Sequence, residues 1–265
     1  MGSFDSEIYD NLLIYSNILG FHDSPAQLNS KRFSSYYFNG RRIYDNSLLT
    51  ELFVGHVINF ISDLKVDPKT ICGVPLGMTL FGGHVQRAFV QTKPYEIQSE
   101  YSYVTIRPTP KDHGAPADKY HIGKLNSPIL LIEDVTTTAL SILKVVNRLK
   151  KLGSKVEWVV SLMNRMEKTP IQNLDDEKVF QEYKKEYMEA TGTLYSKGID
   201  AKEAVEMTGA KYFSLTNSQR ILPKAIEIMN LERGKIDKLI EERKEWGTER
   251  NPFLPQVKNK KIKST

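Results

Sequence analysis

The chain has 265 residues, 40% of them hydrophobic and 26% charged, and a formal net charge of +5 at pH 7. This length suits one large domain with an appendage. Cys72 is the only cysteine, which excludes an internal disulfide. No run approaches the roughly 20 apolar residues of a membrane span, and the N-terminus lacks the pattern of a secretory signal. We therefore expect a cytoplasmic protein with no membrane partner, and the mild positive charge suits small anionic substrates.

The first 165 residues alternate between patterns typical of helices and of strands. In chain order these are a helix over 7–19, a strand or hairpin over 34–44, a helix over 48–64, a buried strand that starts at 70 and breaks at Gly73 and Pro75, a strand over 95–106, a long mobile loop over 107–125, a strand over 128–134, a helix over 139–152 and a strand over 155–164. Strands that alternate with helices at this spacing predict a mostly parallel twisted sheet with helices on both faces.

Beyond Arg165 the chain becomes more charged. The pattern predicts helices over 175–190 and 200–208, a last strand over 211–215, and two helical stretches within 218–246 that are broken near Gly234. We expect a domain over 1–230 with a helical insertion at about 168–207, followed by a helical extension over 231–265. The extension ends in a basic tail, Lys258 to Lys263, which is typical of a solvated terminus rather than of a nucleic-acid site.

The stretch "LLIEDVTTTALSI" places two acids, Glu133 and Asp134, at the end of a predicted buried strand. Ligands of doubly wound sheets collect at the carboxyl ends of the strands, where carboxylates can accept hydrogen bonds from sugar hydroxyls. Residues 137–141 then enter a helix N-terminus, where free backbone N–H groups suit a phosphate. This combination predicts a phosphorylated ribose as ligand. The alternative from these residues alone is a buried strand end with N-capping threonines.

The same stretch resembles the phosphoribosyl-pyrophosphate (PRPP) motif of type I phosphoribosyltransferases, except that Ala139 stands where that family has glycine. Further stretches are similar to orotate phosphoribosyltransferases in particular. They are "RPTPKDHG" (107–114) for the catalytic loop, "SSYYFN" (34–39) for the aromatic strand under the base, "CGVP" (72–75) for the start of the pyrophosphate loop, "NR" (164–165) for an Asp-Arg pair, and "FSLTNSQRIL" (213–222) for the closing strand and helix.

The resemblance implies the type I phosphoribosyltransferase fold, here with a small hood region and extra C-terminal helices. It implies that orotate and PRPP give orotidine 5′-monophosphate and pyrophosphate, a step of de novo pyrimidine (UMP) biosynthesis. Mg²⁺ would be the cofactor, held mainly by PRPP and not by protein ligands. A homodimer with shared active sites is also implied, and no nucleic-acid partner.

The resemblance also assigns residues to three roles. Catalytic roles fall to Arg107, Lys111, His113 and Asp134. PRPP binding falls to Glu133, Asp134, Thr136, Thr137, Thr138, Ala139, Leu140 and Ser141, with Gly73, Val74, Pro75, Leu76 and Gly77 in the pyrophosphate loop. Base binding falls to Lys31, Tyr37, Phe38, Asn39, Thr137 and Arg165. In this scheme Asp134 stabilises the positive charge of the reacting ribose, and the loop cations neutralise the departing pyrophosphate.

Three departures from the family pattern fall on phosphate contacts. Gly77, Asn29 and Pro108 replace lysines, and each lost charge-assisted bond could cost about 1.5–3 kcal/mol. Ala139 is a separate departure, which costs roughly 1 kcal/mol if its position needs a positive φ and nothing if it is helical. Two alternatives therefore stay open: a PRPP- or nucleotide-binding relative with weak or no transferase activity, and a transferase for another base. The inserted helices could cover the site, extend a dimer interface or bind a partner.

Overall fold

A six-stranded sheet forms the centre of the computed structural model, which describes residues 2–107, 109, 111 and 119–248. In sheet order the strands are β5 (His121–Ile122), β4 (Ser102–Ile106), β3 (Thr70–Gly73), β6 (Ile129–Thr136), β7 (Val156–Asn164) and β8 (Lys211–Asn217). All neighbouring pairs are parallel except β4 and β5, which are antiparallel. The predicted mostly parallel sheet is confirmed.

A separate antiparallel pair forms the hood. It consists of β1 (Leu19–Gln27) and β2 (Phe33–Phe38), and a 3₁₀ turn, Gly40–Tyr44, follows β2. The aromatic stretch predicted β2, but β1 was missed. Its sequence "LGFHDSPAQ" does not alternate between apolar and polar residues, so no period of two is visible in it, and its burial does not alternate either.

Eight α-helices pack around the two sheets in the described part of the chain. They are α1 (Ser6–Tyr15), α2 (Ser47–Asp63), α3 (Thr79–Gln91), α4 (Leu140–Lys151), α5 (Glu177–Thr191), α6 (Ala201–Glu206), α7 (Ser218–Ile228) and α8 (Arg233–Trp246). None of these described helices has both the length and the apolar character needed to cross a membrane.

The break predicted near Gly234 is confirmed, because the last two helices separate at residues 229–232 and Gly234 lies in the first turn of α8. Two other predicted element boundaries were wrong. The first half of the strand predicted over 95–106 is a 3₁₀ turn, Tyr95–Glu100. The region predicted as the loop 107–125 contains β5, which pairs with β4.

The core lies on both faces of the sheet, as the sequence of β6 shows most clearly. Residues 129–132 ("ILLI") are all fully buried. Leu130 and Ile132 pack into the cluster that includes α1, α2, α3, α7 and α8. Ile129 and Leu131 pack into the cluster formed with α4, α5 and α6. Because successive side chains of a strand point to opposite faces, one continuous apolar run serves both clusters.

The inserted and appended helices belong to these cores. On α5, Tyr183 and Tyr187 are buried against the α4 side of the sheet. On α8, Ile236, Leu239 and Ile240 are buried in the first cluster, and burial of such a side chain contributes about 1.5–3 kcal/mol. The last described helix is therefore held by several aliphatic contacts at once.

Candidate active site

The carboxyl ends of β3 and β6 lie side by side. Gly73 pairs with Ile132, and the N–H of Val74 donates to the Ile132 carbonyl at 2.8 Å. The chain then continues as the predicted pyrophosphate loop after β3 and as the two acids on β6. The fold thus brings two separate sequence motifs to one edge of the sheet, where ligands of open α/β folds bind.

The two acids have different surroundings. Glu133 is only 5% exposed and accepts a hydrogen bond of 2.6 Å from the Ser141 hydroxyl. Burial, together with the neighbouring Asp134 carboxylate, raises the pKa of Glu133 well above its ordinary value. Asp134 is partly exposed, and its Oδ1 accepts a hydrogen bond of 2.8 Å from the N–H of Val135. Asp134 is therefore the acid that can face a ligand.

Two glycines flank the Asp134 carboxylate. A Cβ at Gly40 would lie 2.8 Å from Asp134 Cβ, and a Cβ at Gly77 would lie 3.1 Å from Asp134 Oδ2. Gly40 lies two residues after the end of β2, the strand predicted to contact the base, and Gly77 belongs to the predicted pyrophosphate loop. Three motifs therefore meet at one carboxylate. Gly40 could not be selected from the sequence, because only its tertiary contact with Asp134 leaves no room for a side chain there.

The pyrophosphate loop curls back on itself after β3. The N–H of Met78 donates to the Val74 carbonyl at 3.1 Å, and a side chain at Gly73 would overlap the Met78 backbone. The Tyr44 hydroxyl donates to the Gly77 carbonyl at 3.0 Å and ties the loop to the 3₁₀ turn after β2. Sequence reasoning missed Tyr44, since a tyrosine in "GRRIY" carries no distinctive signal. The peptide bond between Pro75 and Leu76 is cis.

The start of α4 resolves the question raised by Ala139. This residue has φ 67° and ψ 9°, which is the left-handed conformation, and it is buried. Ala139 is itself the N-cap, and no side chain in the described part of the chain caps this helix. The alternative of N-capping threonines is thus wrong. Thr136 and Thr138 are buried, Thr137 is half-buried, and the first N–H groups of α4, from Leu140 onwards, have no intrahelical acceptor.

The predicted catalytic loop begins at the carboxyl end of β4. The N–H of Arg107 donates to the Tyr120 carbonyl and that of Lys111 to the Lys119 carbonyl, each at 2.9 Å. The two arms of the loop are therefore paired at its base. The predictions for His113, and for the replacement at Pro108, lie outside the described residues. The mobility of the loop stays a prediction.

On the base side, β2 presents the predicted residues in two ways. Tyr37 is exposed and Phe38 is buried, while Asn39 is half-buried and donates its N–H to the Ile18 carbonyl at 2.7 Å. Lys31 is exposed and has φ 66° in the turn before β2. Only the carboxyl end of β2 is tied to the acids, because Gly40, two residues after the strand, adjoins Asp134; Lys31 lies at the other end of the strand.

Arg165 has an environment that the sequence did not predict. It is 2% exposed, and its guanidinium lies 3.8 Å from the Tyr36 ring centroid. It donates to Glu167 Oε1 at 2.7 Å and to Glu242 Oε1 at 2.9 Å. Burial opposes its charge, but these two carboxylates outweigh that effect and raise its pKa. Its Nη1 also donates to the Tyr36 carbonyl and its Nη2 to the Ser34 hydroxyl, so four of its five N–H groups are engaged and the buried guanidinium has at most one N–H left for a base carboxylate.

Arg165 belongs to a larger buried ionic cluster that comprises three arginines and three acids: Arg32, Arg165, Arg243, Glu167, Asp175 and Glu242. Arg32 joins Asp175 at 2.7 Å and Glu167 at 3.2 Å. Burial would raise the pKa of Glu167, but the arginine charges outweigh it and lower the pKa. The cluster connects the hood, the segment after β7, the insertion and α8, and its formal charges cancel.

No protein-family model matches the chain. Curated relatives include the orotate phosphoribosyltransferase of Thermococcus gammatolerans, 26% identical over 140 residues that make up 53% of this chain and 69% of the relative. That of Methanocaldococcus jannaschii is 29% identical over 152 residues, 57% of this chain and 78% of the relative.

Solved structures agree in fold. The orotate phosphoribosyltransferase of Francisella tularensis superposes with a TM-score of 0.60 at 19% identity over 91% of this chain and all of that one. The UMP synthase of Leishmania donovani gives 0.61 at 14% identity, over 91% of this chain and 42% of that one. The chain therefore has the type I phosphoribosyltransferase fold. In sequence it is similar to the curated orotate phosphoribosyltransferases named above.

Proposed function

We propose that the chain is an orotate phosphoribosyltransferase, which converts orotate and PRPP to orotidine 5′-monophosphate and pyrophosphate in pyrimidine biosynthesis. The observation that carries this proposal is the meeting of three motifs at Asp134. Its carboxylate lies against Gly40, after the base strand, and against Gly77, in the pyrophosphate loop. The left-handed turn at Ala139 then opens α4 beside it. A base, a pyrophosphate and a ribose 5′-phosphate would thus each meet a distinct element. The curated relatives support the same reaction.

The chemistry follows from these positions. A nitrogen of the base forms a bond to C1 of the ribose while the bond from C1 to the pyrophosphate oxygen breaks, and the ribose passes through an oxocarbenium-like state. A carboxylate such as Asp134 stabilises that positive charge most strongly when it is fully developed. Arg107, Lys111 and His113 would neutralise the departing pyrophosphate. A loop that closes over the site would also exclude water that otherwise hydrolyses PRPP.

The donor set also fits the Mg²⁺ that the resemblance implies. Mg²⁺ prefers oxygen ligands and is commonly held by one or two carboxylates together with substrate phosphates. Asp134 is the partly exposed acid and would meet the ion, while Glu133 is buried and bonded to Ser141. When bound with PRPP, the ion neutralises charge on the pyrophosphate. Most of its ligands would be PRPP oxygens.

A cytoplasmic homodimer with shared sites completes the proposal. The predicted loop is strongly polar and cannot pack cheaply on its own subunit. Leu48 and Leu52 lie one turn apart on α2, are exposed, and offer apolar surface to a second copy. A site built from strand ends, a phosphate loop and a cationic lid is readily completed across a two-fold axis.

The test is a spectroscopic assay of orotate consumption with PRPP and Mg²⁺, run beside a panel of purine and pyrimidine bases. We expect loss of orotate absorbance that requires PRPP and stops when Asp134 is replaced by asparagine. Arg165 is already engaged by Glu167 and Glu242. This observation favours a second candidate function, a transferase for another base. Turnover of a different base, without turnover of orotate, would support that candidate and contradict the first.

A further inference from the structure

The Glu242 carboxylate lies in a fully formed set of hydrogen-bond donors. Its Oε1 accepts from the Ser34 hydroxyl at 2.7 Å and from Arg165 Nη2 at 2.9 Å. Its Oε2 accepts from both the backbone N–H and the hydroxyl of Ser35, each at 2.7 Å. A backbone amide, two hydroxyls and an arginine make a strong receptor for one carboxylate. In this chain the carboxylate comes from α8.

The two serine donors belong to β2, the strand that carries the predicted base contacts. Ser34 and Ser35 lie on β2, and the predicted base residues 37–39 follow on the same strand and at its end. Arg165 also donates to the Tyr36 carbonyl at 3.3 Å and stacks on the Tyr36 ring. Glu242 therefore fixes β2 twice, directly at Ser35 and through Arg165 at Tyr36. A shift of this strand would move Tyr37 and Asn39 relative to Asp134.

The receptor could in principle serve a substrate carboxylate that displaces Glu242. The packing of α8 argues against this exchange. Three aliphatic residues of the helix, Ile236, Leu239 and Ile240, are buried in the core, and Arg243 donates to the Met166 carbonyl at 2.7 Å. Withdrawing Glu242 would expose these side chains or leave Arg165 with one carboxylate fewer in a buried setting. We therefore expect α8, and the Glu242 carboxylate with it, to stay in place when a substrate binds.

We propose that Glu242 is a positioning residue for the base subsite and that Arg165 acts with it, so that the carboxylate of the base is recognised without Arg165. This inference rests on the proposed function. Arg165 holds the strand in place, and contacts to the base fall to Lys31 and the exposed edge of β2. The extension is then a component of the base subsite and not an independent appendage.

Steady-state kinetics of Glu242→Ala and Glu242→Gln test this, with separate determination of kcat, KM for orotate and KM for PRPP. We expect the KM for orotate to rise by roughly 10- to 100-fold in Glu242→Ala, with a smaller rise in Glu242→Gln and with kcat and the KM for PRPP nearly unchanged. Ser35→Ala removes one hydroxyl donor and keeps the backbone amide, so it should raise the KM for orotate modestly even if Glu242→Ala folds poorly. The matched control is Glu241→Gln, an exposed neighbour on the same helix.

The outcomes separate the two proposals. The positioning role would be overturned by one combination of results: the wild type turns over orotate, and both Glu242→Gln and Ser35→Ala have the same KM for orotate as the wild type. A fall in the KM for orotate in Glu242→Ala would also overturn it, because this would mean that a freed Arg165 binds the substrate. A wild-type protein that neither binds nor consumes orotate would instead contradict the proposed function, and with it any base subsite for orotate.

Discussion

Ser141 donates a hydrogen bond of 2.6 Å to the buried carboxylate of Glu133, eight residues earlier. The bond links the end of β6 to the first turn of α4 and so holds together the two ends of the turn at residues 137–139. It places an acid in a site where burial and Asp134 both disfavour its ionised form. The stability of this turn should therefore depend on pH.

Glu133→Gln should stabilise the protein at neutral and alkaline pH in the absence of ligand. The pKa of Glu133 is higher in the folded than in the unfolded protein. The proton on Glu133 therefore contributes its full stabilisation below the ordinary carboxyl pKa of about 4.3. This stabilisation is lost as the pH rises towards the folded pKa, by up to about 1.4 kcal/mol per pH unit. Glutamine does not titrate. Urea unfolding at pH 5 and pH 8 should show a smaller decrease for the variant than for the wild type. Glu51→Gln, at an exposed position on α2, is the control, and equal decreases in all three proteins would refute this prediction.

Ala139→Gly should raise the free energy of unfolding and tighten PRPP binding. The left-handed conformation of Ala139 costs an alanine about 1–2 kcal/mol, which exceeds the roughly 0.5–1 kcal/mol entropic cost of glycine, so a gain of about 0.5–1 kcal/mol is expected. Denaturant unfolding and calorimetric titration with PRPP measure the two effects. As a control, Ala225→Gly inside α7 should destabilise by about 1 kcal/mol. Destabilisation by both variants would contradict the prediction and mean that the buried methyl group of Ala139 contributes more than its backbone conformation costs.

Asp134→Asn should lower kcat by about 100-fold or more and leave the affinity for PRPP nearly unchanged. The variant keeps the shape of the side chain between Gly40 and Gly77 but removes a charge that matters most when the ribose becomes cationic. Turnover and equilibrium binding need to be measured separately, with Asp45→Asn, an exposed acid, as the control. A weaker affinity with unchanged kcat would assign Asp134 to ground-state binding instead.

Shared active sites predict complementation between two inactive variants. Lys111→Ala and Asp134→Asn should each be nearly inactive. After subunit exchange, half the dimers are mixed, and each mixed dimer has one intact site out of two, so about a quarter of wild-type activity should return. Exchange itself can be followed by native mass spectrometry. Complete exchange without recovery of activity would mean that each loop closes over its own subunit.

The sheet and the placement of the two acids could be predicted because their signals are local. The buried run at 129–132 and the acids after it follow from adjacent residues, and the motif at 133–141 spans the end of β6, a short turn and the start of α4. The hood strand β1 was missed because its sequence does not alternate between apolar and polar residues. Gly40 and Glu242 could not be selected, since their roles depend on contacts with Asp134 and Arg165, which lie far away in the chain.

The pairing of Arg165 with Glu242 has an evolutionary consequence. Neither residue can change alone without leaving a buried charge or a set of unfilled donors, which costs far more than most surface substitutions. Their substitutions are therefore expected to be contingent on each other, and the fate of position 165 depends on whether a lineage keeps the last helix. A descendant that lost α8 would have an uncovered arginine beside its base strand, and selection could then recruit that arginine to bind a new ligand.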